Sequence, residues 1–241
     1  MSHILSVERI TQSFGRVTAV NELSLDLKHG EILGVIGPNG AGKTTLFNLI
    51  VGQIKPISGK VFFGGEDITH VDTFKRCRMG IARTYQIPRP FLNMTVLENL
   101  LVASAFGAGV GSRGARKKCE KILEVTGMLP KSHVFADALS LLDRKRLELA
   151  RALSTDPKLL LLDEVAGGLT ESEVEQILKI INSIREEGTT ILWVEHIMMA
   201  MKKGPDRLLV MNFGRELLCG RPEEVFSSPE VQKIYLGEED V

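Results

Sequence analysis

The chain has 241 residues and carries 30 lysines and arginines against 30 aspartates and glutamates. That length supports one large domain or two small ones around a substantial core, and the zero charge balance excludes a strong global attraction to nucleic acid or an acidic membrane. The three cysteines, Cys77, Cys119 and Cys219, lie far apart, which excludes a disulfide framework or a Cys-x-x-Cys zinc site and fits a reducing compartment.

The opening MSHILSVERI has no charged-then-apolar signal pattern. Leu5–Thr11 and Leu23–Leu27 read as short strands of an antiparallel start. Glu31–Gly37, "EILGVIG", reads as a buried strand ending in glycine. A helix follows from about Gly42 to Val51, then a short strand over Lys60–Phe63.

From about Ile87 to Ser154 apolar residues recur at helical spacing and no strand pattern stands out. Thr95 is placed to cap a helix carrying Val96 to Val102. Leu100–Val110 is the most membrane-like run, but it is too short to span and holds two glycines. "GAGVGSRG", Gly107–Gly114, reads as a joint or plain surface loop. Arg113–Gly127 reads as a basic helix with Cys119, Ile122, Leu123 and Thr126 near one face.

The strand–helix alternation then returns. Lys158–Leu162 is an apolar strand that ends in Asp163-Glu164. Thr170 and Glu173 form a T-x-x-E capping box for a helix that buries Val174, Ile177, Leu178, Ile181 and Ile184, with Gly188 ending it. "TTILWVEH" is the next buried strand. Arg207–Met211 and Glu216–Leu218 flank the turn "NFGR" as a hairpin, and two short helices follow. The layout is an α/β core with a mainly parallel sheet, interrupted by a helical insertion.

Gly37-Pro38-Asn39-Gly40-Ala41-Gly42-Lys43-Thr44 fits G-x-x-x-x-G-K-[ST], and it lies between a predicted strand and a predicted helix, as a phosphate-binding loop must. Glycines let backbone N–H groups turn inward onto phosphate oxygens, and the helix start adds partial positive charge. Lys43 is placed for the terminal phosphates and Thr44 for Mg²⁺. An apolar strand ending in carboxylates sets Asp163 and Glu164 at the sheet edge where ligands bind, Asp163 as a Mg²⁺ holder and Glu164 to polarise the attacking water. Singly, Phe14, Gln86 in "RTYQ" and His196 are unremarkable: a core aromatic, a surface amide and a solvated imidazole.

In order, Phe14, the phosphate loop, Gln86, the helical stretch, "ALSLLD", Asp163-Glu164 and His196 resemble the parts of ATP-binding cassette (ABC) ATPases along essentially the whole chain. The resemblance implies a P-loop NTPase fold of the ABC type, with an antiparallel β subdomain and a helical subdomain. It implies one ATPase domain over 1–241, its α/β core at about 1–86 and 155–241 and its helical subdomain at about 87–154. It implies that Phe14 stacks on adenine, that residues 37–44 and Thr45 bind ATP, and that Gln86 senses Mg²⁺ and the attacking water. It also implies that His196 contacts the γ-phosphate. "ARTYQIPRPFLNMTVLENLLVA" and the ending "VQKIYLGEE" resemble more closely the ATPases of Liv-type branched-chain amino-acid uptake transporters, with the lipopolysaccharide-export ATPase a near relative.

The partners so implied are a second ABC ATPase subunit, identical or different, transmembrane permease subunits and a substrate-binding protein, at the cytoplasmic face of the membrane. The permease would dock near Gln86–Leu101, where Phe91, Leu92 and Met94 are either partner-facing or ordinary core. No nucleic acid is expected; a soluble ABC ATPase acting on DNA or RNA is the reading from another class, and the zero net charge speaks against it.

In this family each ATP is completed by the other subunit's signature, usually Leu-Ser-Gly-Gly-Gln. Here the aligned residues are Leu139-Ser140-Leu141-Leu142-Asp143. Ser140 remains a helix cap, and the N–H groups of residues 141–143 remain at a helix start. Leucine is permitted wherever φ is helical, which leaves bulk beside the partner's phosphate as the question. Asp143 is expected to set a negative charge against that anion, an effect of about 0.3–1 kcal/mol. Either the signature is altered but working, or the composite site it completes is slow; the retained cap favours the first. Two further departures are Val165, where a proline is usual, expected to loosen the loop, and Thr170, where an aspartate is usual.

Overall fold

The computed structural model describes residues 3–108 and 112–236. Two long strands, β1 (His3–Phe14) and β2 (Val17–Lys28), pair antiparallel. Their alternation of buried and exposed residues marks a sheet with one wet face. The short fully buried β3 (Ile32–Ile36) leads through the glycine-rich turn into α1 (Lys43–Val51). Next come β4 (Ser58–Phe63), β5 (Glu66–Asp67), α2 (Thr73–Met79) and β6 (Ile81–Arg83).

The helical stretch holds α3 (Val96–Ala103) and α4 (Ser112–Val125), two short 3₁₀ turns, Leu129–Lys131 and Ala136–Ala138, and then α5 (Leu141–Leu153). After it the chain runs β7 (Leu159–Asp163), α6 (Glu171–Glu186), β8 (Thr190–Val194), α7 (Met198–Lys203), β9 (Arg207–Asn212), β10 (Arg215–Gly220), α8 (Pro222–Ser227) and α9 (Pro229–Leu236).

The strands form two sheets. One is antiparallel, in the order β2-β1-β4-β5; the other runs β10-β9-β3-β8-β7-β6 and is parallel except for the β10 edge. α1 is sandwiched between them. Leu46, Phe47, Leu49 and Ile50 are fully buried in one cluster with residues of both sheets, among them Leu5, Val7, Val35 and Leu192. Residues 46–51, apolar but for Asn48, suit such a position. The opposite face of the large sheet packs against α6 through Val174, Ile177 and Ile181, around Trp193. The helical subdomain has its own core of Val96, Leu100, Cys119, Leu123 and Leu147.

Thr95 caps α3 with Glu98, and Thr170 caps α6 with Glu173, both as reciprocal capping boxes. The joint expected at Gly107–Gly114 is helical where it is described. Ser104–Ala108 extends α3 as a π-type turn, and α4 begins at Ser112; residues 109–111 lie outside the described residues. Gly107 is buried against Thr155, so closely that a Cβ would lie 2.5 Å from its methyl carbon. It is a packing position, not a loop. Four of the described strands and helices had no expectation from sequence: β5, α2, β6 and α7. None of the described helices is long and apolar enough to cross a membrane.

Candidate functional site

β3, β8, β7 and β6 are adjacent parallel strands, so their C-terminal ends share one edge, where open α/β sheets bind ligands. The phosphate-loop residues, His196, Asp163-Glu164 and Gln86 follow these four strands in that order across the sheet.

The loop after β3 is held tightly. Gly42 has φ +102°, and a Cβ on it would lie 2.1 Å from the Ala19 carbonyl oxygen; a Cβ on Gly37 would lie 2.2 Å from that of Met211. No other residue fits either place. Gly42 caps α1 without a side-chain acceptor, and no acidic residue stands in the first turn. The N–H groups at the start of α1 are thus left to an anionic ligand. Lys43 Nζ lies inside the loop and donates to the carbonyls of Gly37 at 2.6 Å and Pro38 at 3.0 Å. Burial lowers the Lys43 pKa, with Glu164 and Asp163 acting against that fall. Both carboxylates therefore lie near enough to act on the ammonium.

Asp163 ends β7 with its side chain buried and paired to Arg83 Nη2 at 2.6 Å. Its N–H donates to Thr84 Oγ1. Arg83 also donates to Asn48 Oδ1 at 2.5 Å and lies over the rings of Phe47 and Tyr85. It thus ties β6, β7 and α1 together. A divalent cation held by one carboxylate, phosphate oxygens and waters needs no protein cage. The Thr44 hydroxyl and the Asp163 oxygen facing away from Arg83 fit that sparse donor set. Among the described residues no group of three or more His, Cys, Asp or Glu forms a cage of its own.

Glu164 stands in the left-handed region at φ +48°, a conformation that a non-glycine residue keeps only under constraint. Its N–H donates to the Val194 carbonyl, and its own carbonyl accepts from Lys145 Nζ at 2.9 Å. The carboxylate Oε2 accepts from Gln86 Nε2 at 2.5 Å and lies 3.5 Å from His196 Nδ1. Gln86 and His196, each unremarkable alone and each following a different strand, thus converge on one oxygen of Glu164. Beneath them Glu195 is buried and accepts N–H bonds from Ala166, His196 and Ile197. Burial raises its pKa, and these bonds act against the rise. Phe14 is 53% exposed at the end of β1, open to a planar ligand.

The LSLLD stretch departs from expectation in one respect. α5 starts at Leu141 with Ser140 as its cap, so both leucines have helical backbone. Only Leu141 is exposed, lying against Gly168; Leu142 packs into the core beside α6. Asp143, expected to present a charge outward, is buried. It pairs with Lys131, accepts from the Ser140 hydroxyl at 2.8 Å and lies 3.8 Å from Arg146. Burial alone would push its pKa up, but Lys131 and Ser140 outweigh that and hold it below the usual carboxylate range. Its charge is neutralised from within. Val165 does not loosen the loop: it is buried in the core beside α6.

Arg83, Lys145, Glu195 and Lys131 escaped the sequence reading. Only Glu195 carried a local signal, a carboxylate directly after a buried strand and before His196.

This combination of a phosphate loop, strand-end carboxylates and a helical insertion is that of a nucleotide-hydrolysing cassette, and comparison with known proteins gives the family. Residues 20–167 match the ABC transporter family model, and the chain belongs to that family as an ABC ATPase. It is 38% identical to the high-affinity branched-chain amino acid transport ATP-binding protein LivG of Salmonella typhimurium over 98% of both chains. It is 34% identical to the lipopolysaccharide export system ATP-binding protein LptB of Haemophilus influenzae, again over 98% of each. An ABC-transporter ATP-binding cassette solved in its ADP conformation superposes with a TM-score of 0.90 at 33% identity, covering 99% of this chain and 100% of that one.

Proposed function

We propose that this chain is the ATP-hydrolysing motor subunit of a transporter that takes up branched-chain or related amino acids. The observation that carries the hydrolytic part is the convergence of Gln86 and His196 on the Glu164 carboxylate, on the strand edge that also carries Lys43. The substrate class rests on the higher identity to LivG than to LptB.

Phe14 stacks on the adenine. The N–H groups of residues 37–45 and the Lys43 ammonium hold the phosphates. Thr44, Asp163 and Gln86 hold Mg²⁺, which supplies charge neutralisation on the phosphate oxygens. Glu164 takes the proton of the attacking water, Gln86 orients that water, and His196 donates toward the γ-phosphate. A second ABC ATPase subunit closes over this ATP, and Ser140 with residues 141–143 closes over the partner's. The chain works as one domain, core 1–86 and 155–241 with helical subdomain 87–154. Permease subunits at the cytoplasmic face dock beside Gln86–Leu101, where Phe91 and Leu92 are exposed and Met94 is half-buried; a substrate-binding protein delivers the amino acid.

The test is reconstitution of the complex that co-purifies with this chain into liposomes holding ATP on the side of the ATPase. Labelled leucine should accumulate only with ATP. ATP-driven movement of a lipid substrate instead, or salt-sensitive DNA or RNA binding with no membrane chain in the complex, would overturn the reading.

A further inference from the structure

α5 is capped by the signature Ser140, yet three charged residues on it, Asp143, Lys145 and Glu148, are each at most 6% exposed. Each reaches a different segment. Asp143 pairs with Lys131. Glu148 lies against the backbone at Tyr85 and Arg89, which flank Gln86, and pairs with Arg151, which donates to the Arg89 carbonyl and lies over Phe91. Lys145 Nζ donates to the main-chain carbonyl of Glu164 and faces the buried Glu195.

The Lys145 contact is the informative one. A buried ammonium loses its hydration, and the Glu164 carbonyl and the nearby charge of the buried Glu195 offset that loss. The bond to the Glu164 carbonyl also has a geometric consequence. Glu164 holds φ +48°; its N–H is held by the Val194 carbonyl, and its own carbonyl by Lys145 Nζ at 2.9 Å and, across the local turn, by the Gly167 N–H at 3.3 Å. Without Lys145 the carbonyl keeps only the longer of its two bonds, and the backbone is freer to relax from the left-handed region, which moves the carboxylate away from Gln86 and His196.

We propose that Lys145 is a positioning residue for hydrolysis: its grip on the Glu164 carbonyl keeps the Glu164 carboxylate in register with Gln86 and His196. Because Lys145 rides one turn into the helix that Ser140 caps, the same contact links the signature that meets the partner's nucleotide to the base that serves this chain's own. The proposal rests on the reading of Glu164 as the base.

The test measures steady-state ATP turnover of the assembled transporter with wild-type chain, Lys145→Met, Lys145→Arg, Glu164→Gln and the Lys145→Met/Glu164→Gln double variant. Glu164→Gln sets the floor that does not depend on the base. Lys145→Met should lower kcat roughly 10- to 100-fold toward that floor, the scale of a misplaced reacting group, with KM within about twofold. Lys145→Arg, which keeps a cationic donor, should recover most of the rate. The double variant should match Glu164→Gln, since Lys145 acts through Glu164. Lys145→Ala replaces the methionine variant if the latter does not fold, with the same split expected. Wild-type kcat in a folded Lys145→Met or Lys145→Ala protein, or a double variant well below Glu164→Gln, overturns the proposal and leaves the base assignment standing. Near-wild-type turnover in Glu164→Gln overturns both.

Discussion

Asp143 shows how a single side chain can reverse its meaning on folding. In sequence it stands where the family has glutamine and adds a charge; in the fold it is buried, and Lys131 and Ser140 absorb that charge. Loss of Lys131 should therefore cost more than loss of an ordinary surface lysine. Lys131→Met is expected to lower stability at neutral pH by about 1–2 kcal/mol, and Asp143→Asn in the same chain to restore most of it; a double-mutant cycle by urea unfolding measures both. The sign with pH is fixed. The folded pKa of Asp143 lies below its unfolded value, so its contribution is present above the unfolded pKa of about 3.9 and is lost as pH falls through the folded value. The gap between wild type and Lys131→Met should be full at neutral pH and shrink as pH falls toward the lowered wild-type value, where Asp143 is protonated in both folded proteins. Residues joined by such pairs are what the sequence conceals. Lys43, Asp163 and Glu164 announced themselves by contiguous motifs. Arg83 and Asp163 are 80 positions apart, and Lys145 and Glu164 meet through a backbone carbonyl that carries no sequence signal.

Helix α6 was legible to the residue, because five apolar positions at helical spacing and a T-x-x-E cap state one answer twice, and all five are buried. β6 was not: three residues are too few to display a period, and what makes Ile81–Arg83 a strand is its pairing with β7. α2 hid for a related reason. Its seven residues hold three basic side chains, and its buried one is Arg76. That guanidinium donates to the carbonyls of Leu49 and Ile50 at the end of α1 and to those of Thr69 and Val71. Burial pulls its pKa down to about 10, which leaves it charged at neutral pH. It closes the helix that carries the phosphate loop. Arg76→Met leaves four buried carbonyls without this donor and should cost about 3 kcal/mol, lowering Tm by about 10 °C. Calorimetry of the purified chain checks this; an unchanged Tm would show that α1 has another closure.

The whole molecule joins two sheets around α1 and sets the helical subdomain beside Gln86. Four adjacent parallel strands carry the phosphate loop, His196, Asp163-Glu164 and Gln86 to one edge, which is why motifs spread over 160 residues of sequence act at one cleft. α5 spans from the LSLLD cap to the backbone around Glu164 and Gln86, so the surface we propose meets a partner's nucleotide and the chain's own cleft share one helix. The measurement that bears most directly on this account pairs ATP affinity with single-turnover hydrolysis for Glu164→Gln in the assembled complex. Affinity should stay within about twofold of wild type while the rate falls at least about 100-fold, the size of a lost general base. Hydrolysis at the wild-type rate with ATP bound would contradict it.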